Sequence, residues 1–102
     1  MPYADLSPDE LRARLAADQP PVVLDVREPA EVEEWAFPGA LTIPLGELGS
    51  RTAELPTDRP IVVICHSGYR SARAAQALDA GGWDAANLAG GVVAWVETEP
   101  AP

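Results

Sequence analysis

The chain has 102 residues, 47% hydrophobic and 23% charged, the make-up of a water-soluble globular domain with a single core. Sixteen acidic residues against seven basic ones give a formal net charge of −9, which argues against nucleic acid or an anionic membrane surface as a partner. All the basic residues are arginine, so Schiff-base chemistry on lysine is excluded as well.

Met1 to Asp5 carries no basic, apolar leader, and no apolar run approaches membrane-spanning length, which predicts a cytoplasmic protein. Ser7-Pro8-Asp9-Glu10 is a capping box with proline at the first helical position, and Leu11 and Leu15 share the inner face of the helix it starts. Asp18 to Pro21 end that helix. Val22 to Val26 predicts a buried strand, and Pro29 to Trp35 a short helix whose Glu31, Glu33 and Glu34 form a solvated face. Pro38-Gly39 turns the chain into a brief strand, Ala40 to Ile43, which Pro44 stops. Gly46 to Leu55 reads as a short helix. Ile61 to Ile64 is a β-branched run of the kind found in buried parallel strands. A helix, Ser71 to Ala80, follows it, with Ser71 as the expected N-cap and Ala72, Ala75 and Leu78 facing the sheet. Gly81 and Gly82 are its expected left-handed terminus. Ala85 to Leu88 is a last strand, Val92 to about Val96 a closing helix, and Thr98 to Pro102 a flexible tail.

No repeat or linker divides the chain, which predicts one domain over residues 1–102 with its core at about 3–97. Strands alternating with helices predict an α/β fold, a parallel sheet covered on both faces. Ligands of such sheets bind beyond the carboxyl ends of the strands. Asp25 and Cys65 both occupy such ends.

Cys65 is the one cysteine, so it has no internal disulfide partner. It stands between a strand and a helix N-terminus, where loop N–H groups can curl around an anion. That setting lowers a thiol's pKa and favours the reactive thiolate. The alternative is a buried structural cysteine. One histidine beside one cysteine makes no metal-ligand set, and Gly90-Gly91 lacks the lysine and spacing of a nucleotide phosphate loop. No metal or cofactor is expected.

Four stretches together resemble the single-domain rhodaneses, a sulfurtransferase family. They are Leu24-Asp25-Val26-Arg27-Glu28, Pro38-Gly39-Ala40 with Ile43-Pro44, Cys65-His66-Ser67-Gly68-Tyr69-Arg70-Ser71, and Leu88-Ala89-Gly90-Gly91 with Ala94-Trp95. The resemblance runs from about Tyr3 to Pro100. It implies a five-stranded parallel sheet in the order 3-2-4-5-1, with the strands ending at Asp25 and Cys65 as neighbours. It also implies a double displacement in which Cys65 takes sulfane sulfur from a donor such as thiosulfate as a persulfide. The sulfur then passes to cyanide, a small thiol or a partner protein's thiol.

In this scheme Cys65 is the nucleophile, and the backbone of His66, Ser67, Gly68, Tyr69, Arg70 and Ser71 forms the cradle, with Gly68 allowing the bend. Two roles are open to Arg70: binding the donor's anionic end, or pairing with a nearby carboxylate. Asp25 either accepts hydrogen bonds from the loop or Ser71, or forms a strand-end turn. Arg27 pairs with Glu28 or lines the rim, and His66 is a rim residue that tunes donor choice rather than half of a Cys–His dyad. A carrier module that delivers sulfur to one partner without brisk turnover is the main alternative. Phosphatases and arsenate reductases of the same fold place five residues between Cys and Arg; here there are four, a ring sized for a single sulfur.

One departure from the family pattern is Trp35-Ala36-Phe37, where a Gly-His-Ile sequence is usual. Trp35 in a left-handed helix terminus would be strained. Trp35 and Phe37 either fill core or form an apolar patch for a partner.

Overall fold

The computed structural model describes residues 3–100. In chain order it contains β1 (Ala4–Leu6), α1 (Pro8–Leu15), β2 (Val22–Asp25), α2 (Pro29–Glu34), β3 (Leu41–Thr42), α3 (Leu45–Leu48), a 3-10 turn (Thr52–Glu54), β4 (Ile61–Ile64), α4 (Tyr69–Ala80), β5 (Ala85–Leu88) and α5 (Gly91–Glu97). The five strands form one parallel sheet in the order β1-β5-β4-β2-β3, which read from the other edge is the expected 3-2-4-5-1. Every residue of the central strand β4 is buried, because side chains alternate between two covered faces. Ile61 and Val63 point into a layer with Leu48, Ala74, Ala75 and Leu78 from α3 and α4. Val62 and Ile64 point into the opposite layer with Leu11, Phe37 and Val92. Among the described residues, no helix is long and apolar enough to cross a membrane.

The capping box at Ser7 is made: the Ser7 hydroxyl accepts from Glu10 N–H and the Glu10 carboxylate accepts from Ser7 N–H. From α1, Arg12 crosses to α5, donating to the Trp95 carbonyl at 2.7 Å and to Thr98 Oγ1 at 2.9 Å. Its guanidinium carbon lies 4.1 Å from the centre of the Trp95 ring.

Several expectations need correction. The helix expected over 46–55 breaks into α3 and the 3-10 turn, with glycine at 46 and 49 weakening continuous helix. The α4 helix begins two residues before Ser71 and buries Ser71, Ala74, Ala75 and Leu78, leaving Ala72 only half-buried. Gly81 has φ −85°, so Gly82, at φ 97°, alone takes the left-handed conformation. Trp35 is extended, with φ −155°, and carries no strain. Phe37 is core, its ring 4.8 Å from that of Trp95 and edge-on to Trp35. Thr98 is not frayed, since its hydroxyl donates to the Ala94 carbonyl and accepts from Arg12. The remainder of the expected tail includes residues 101–102, which lie outside the described residues.

Candidate active site

Parallel pairing of β2 with β4 brings the strand ends at Asp25 and Ile64 side by side, and Cys65 follows directly. Gly68 sits at φ 104° and opens α4 without a side-chain cap, a conformation that costs glycine little. The bend turns its N–H back to Cys65 Sγ at 3.1 Å. The Ser71 hydroxyl lies 3.2 Å from the same sulfur. Cys65 itself is 1% exposed.

The loop is held from outside by α5. Val92 N–H donates to the Cys65 carbonyl at 2.8 Å and Val93 N–H to the His66 carbonyl at 3.1 Å. With these carbonyls engaged by α5, loop N–H groups are left to face the sulfur. The close approach depends on Gly91 at φ 62°: a Cβ there would sit 2.5 Å from both carbonyl oxygens. Burial pushes the Cys65 thiol up, but hydrogen bonds from the Ser71 hydroxyl and the N–H groups of Ser71, Gly68 and Ser67 outweigh it. The thiol is therefore held below its ordinary pKa.

Arg70 makes a two-pronged pair with Glu31 of α2, Nη1 to Oε1 at 2.6 Å and Nη2 to Oε2 at 2.8 Å. That guanidinium holds the Glu31 carboxyl down at about 2. Asp25 and Arg27, 0% and 3% exposed, pair with each other. Asp25 accepts from Arg27 Nη2 at 2.7 Å and from Nε and the Arg27 N–H at 3.0 Å. Arg27 also donates to the carbonyls of Trp35 at 2.7 Å and Glu31 at 3.4 Å, which ties the middle and the C-terminal end of α2 to the end of β2.

The family pattern described as "Rhodanese-like domain" matches residues 7–98. The chain belongs to that family. A sulfurtransferase of Allochromatium vinosum is 36% identical over 92 residues, covering 89% of this chain and 86% of the relative. A rhodanese-related protein of Thermoplasma volcanium superposes with TM-score 0.88 at 32% identity, covering 96% of each chain. A thiosulfate sulfurtransferase of Pseudomonas aeruginosa gives TM-score 0.82 at 32% identity, over 93% of this chain and 19% of that one. These likenesses support a sulfur-transfer role.

Within this rhodanese-like domain the side chains of the stretch from Cys65 to Ser71 divide. His66, Ser67 and Tyr69 are exposed, so only their backbone can line the cradle. His66 instead borders a groove of about 590 Å³ with Trp35, Val93 and Glu97. Ser71 is not an N-cap; its hydroxyl is fully buried against the sulfur. Asp25 meets neither the loop N–H groups nor Ser71, because Arg27 takes both its oxygens. Arg27 pairs with Asp25 rather than Glu28. Of the two roles open to Arg70, the ion pair is the one present, and Glu31 is thereby more than a solvated face.

Asn87 escaped the sequence reading. It is 4% exposed, its Oδ1 lies 2.5 Å from Ser71 Oγ, and its Nδ2 donates to Asp5 Oδ1 at 3.0 Å. An amide inside the otherwise apolar strand Ala85–Leu88 was the available signal.

Proposed function

We propose that this domain moves sulfane sulfur from an anionic donor such as thiosulfate to a thiophilic acceptor through a persulfide on Cys65. The observation that carries the reading is the sulfur's setting: a buried Sγ with the Gly68 N–H at 3.1 Å and further loop N–H groups aimed at it. Cys65 thiolate attacks the outer sulfur of thiosulfate, a new S–S bond forms, and sulfite leaves with the electron pair of the broken one. The persulfide's charge rests on its outer sulfur, which the inward N–H groups stabilise as an oxyanion hole stabilises oxygen. Cyanide or a thiolate then attacks that outer sulfur and Cys65 departs as thiolate. No cofactor enters either step. With a single cysteine the persulfide has no internal thiol to resolve it, so the acceptor is external.

The surface charge repels anions at long range, so the field that binds the donor is local. It comes from the start of α4 and from Arg70, whose charge Glu31 largely offsets. His66, at the rim, contacts whatever part of the donor or acceptor extends from the cradle.

Intact-mass spectrometry after brief exposure to thiosulfate tests the proposal, with Cys65→Ser alongside. The expected result is the gain of one sulfur atom, removed by cyanide and absent in the variant. Loading with negligible turnover to cyanide would indicate a carrier rather than a multiple-turnover enzyme. Absence of loading from thiosulfate and from glutathione persulfide refutes the persulfide reading. Hydrolysis of an aryl phosphate that depends on Cys65 would replace it with phosphatase chemistry.

A further inference from the structure

The buried Ser71 hydroxyl has one proton and two neighbours to give it to: Cys65 Sγ at 3.2 Å and Asn87 Oδ1 at 2.5 Å. The orientation of the Asn87 amide is fixed by Asp5, since a carboxylate accepts only and therefore faces Nδ2 at 3.0 Å. Oδ1 is left facing Ser71. Two oxygens at 2.5 Å need a hydrogen between them, and a carbonyl oxygen has none, so the proton there is Ser71's. In that orientation Ser71 presents a lone pair to Cys65, which suits a thiol, whose S–H can donate, or an uncharged sulfur. A thiolate needs the opposite orientation.

We propose that Asn87, held by Asp5, is a positioning residue that keeps the Ser71 proton turned from Cys65 while Sγ is uncharged and releases it only when the thiolate forms. Asn87 thus disfavours the thiolate against both the thiol and the persulfide. This rests on the persulfide reading for its catalytic meaning. Once the outer sulfur is attached, charge leaves Sγ and the Ser71 proton swings to Asn87; on discharge it swings back to the departing thiolate. No bond to hydrogen is broken in either swing; the hydroxyl only rotates.

Arg70 of α4 carries a cation whose field reaches Cys65 but is offset by Glu31. At the end of β2, Asp25 and the following Arg27 neutralise each other. His66 is exposed on the loop, and α5 turns Gly91 and Val92 inward. Asp5 of β1 acts through Asn87.

The test is the pH midpoint of thiolate formation, read as ultraviolet absorbance against Cys65→Ser. It monitors the thiol directly, so its outcome is separate from whether the protein carries sulfur. Asn87→Leu, close in shape but without an acceptor, should lower the midpoint by about one unit, equivalent to about tenfold more thiolate at lower pH. Ser71→Ala should raise it. In Ser71→Ala, adding Asn87→Leu should change nothing. An unchanged or raised midpoint in Asn87→Leu, or an equal fall with Ser71 absent, overturns the proposal. Because Asn87 is buried, Asp5→Ala at its exposed site is measured in parallel. Freed from Asp5, the amide can rotate and offer Nδ2 to Ser71. The fall should then be larger with Ser71 present than in Ser71→Ala, where only a lost negative charge acts. Equal falls overturn it.

Discussion

Gly91→Ala tests whether α5 shapes the loop around Cys65. A Cβ at this position would stand 2.5 Å from the carbonyl oxygens of Cys65 and His66 and 2.7 Å from the His66 carbonyl carbon. These are backbone atoms, so no side chain can swing aside to relieve the clash. Alanine at φ 62° also carries a left-handed penalty of about 1–2 kcal/mol. Relief requires α5 to withdraw, lengthening the hydrogen bonds from Val92 and Val93 to the loop, each contributing about 0.5–1.5 kcal/mol. The sum is roughly 2–5 kcal/mol, and the thermal midpoint should fall on the order of 10–20 °C. Circular dichroism melts give the stability, and mass spectrometry at a temperature where the variant is folded gives sulfur loading from thiosulfate. Loading should drop at least tenfold, because carbonyls freed from α5 can turn toward the sulfur. A variant that melts within about 3 °C of the parent and loads normally would show that α5 does not brace the loop.

Arg27→Leu leaves Asp25 buried with no cationic partner and releases the Trp35 carbonyl, so it should cost about 3–5 kcal/mol in urea denaturation; an unchanged midpoint would refute the structural role. Glu31→Gln unties Arg70, and the KM for thiosulfate should fall several-fold with a smaller change in kcat; a rise in KM would mean that Glu31 aims Arg70 at the donor. Glu31 is held at about 2 by Arg70 against an ordinary 4.5, so its stabilising contribution is fully present above about 4.5 and is lost as pH falls through about 2. With both side chains about one-third exposed, that contribution is under about 1 kcal/mol, and Glu31→Gln should flatten a correspondingly small acid-side slope in stability.

The sheet order and the strand-loop-helix around Cys65 were legible because they depend on local signals and on a family pattern spread over the chain. β-branched runs marked β2 and β4, and the glycine at 68 marked the bend. The pairings that set the electrostatics were less legible. Arg70 and Glu31 stand 39 positions apart and meet only through packing of α2 beside the loop. Asp25 and Arg27 left a usable trace, opposite charges two residues apart at a strand end, which share a side of the chain. Ser71 misled because its residue type favours caps, whereas Gly68 lets the helix start earlier and carries Ser71 into the interior.

The tie from Arg12 to Trp95 and Thr98 has a practical meaning for anyone attaching a tag or a tether. The first turn of α5 clasps the loop, and its last turn is fastened to α1. A bulky graft next to Glu97 would lever this helix and be felt at the sulfur. A graft at the exposed residues Ala17 to Gln19, or at Thr57 and Asp58, would load turns away from both ends of α5. Labels, surface anchors and fusion partners belong at those two turns.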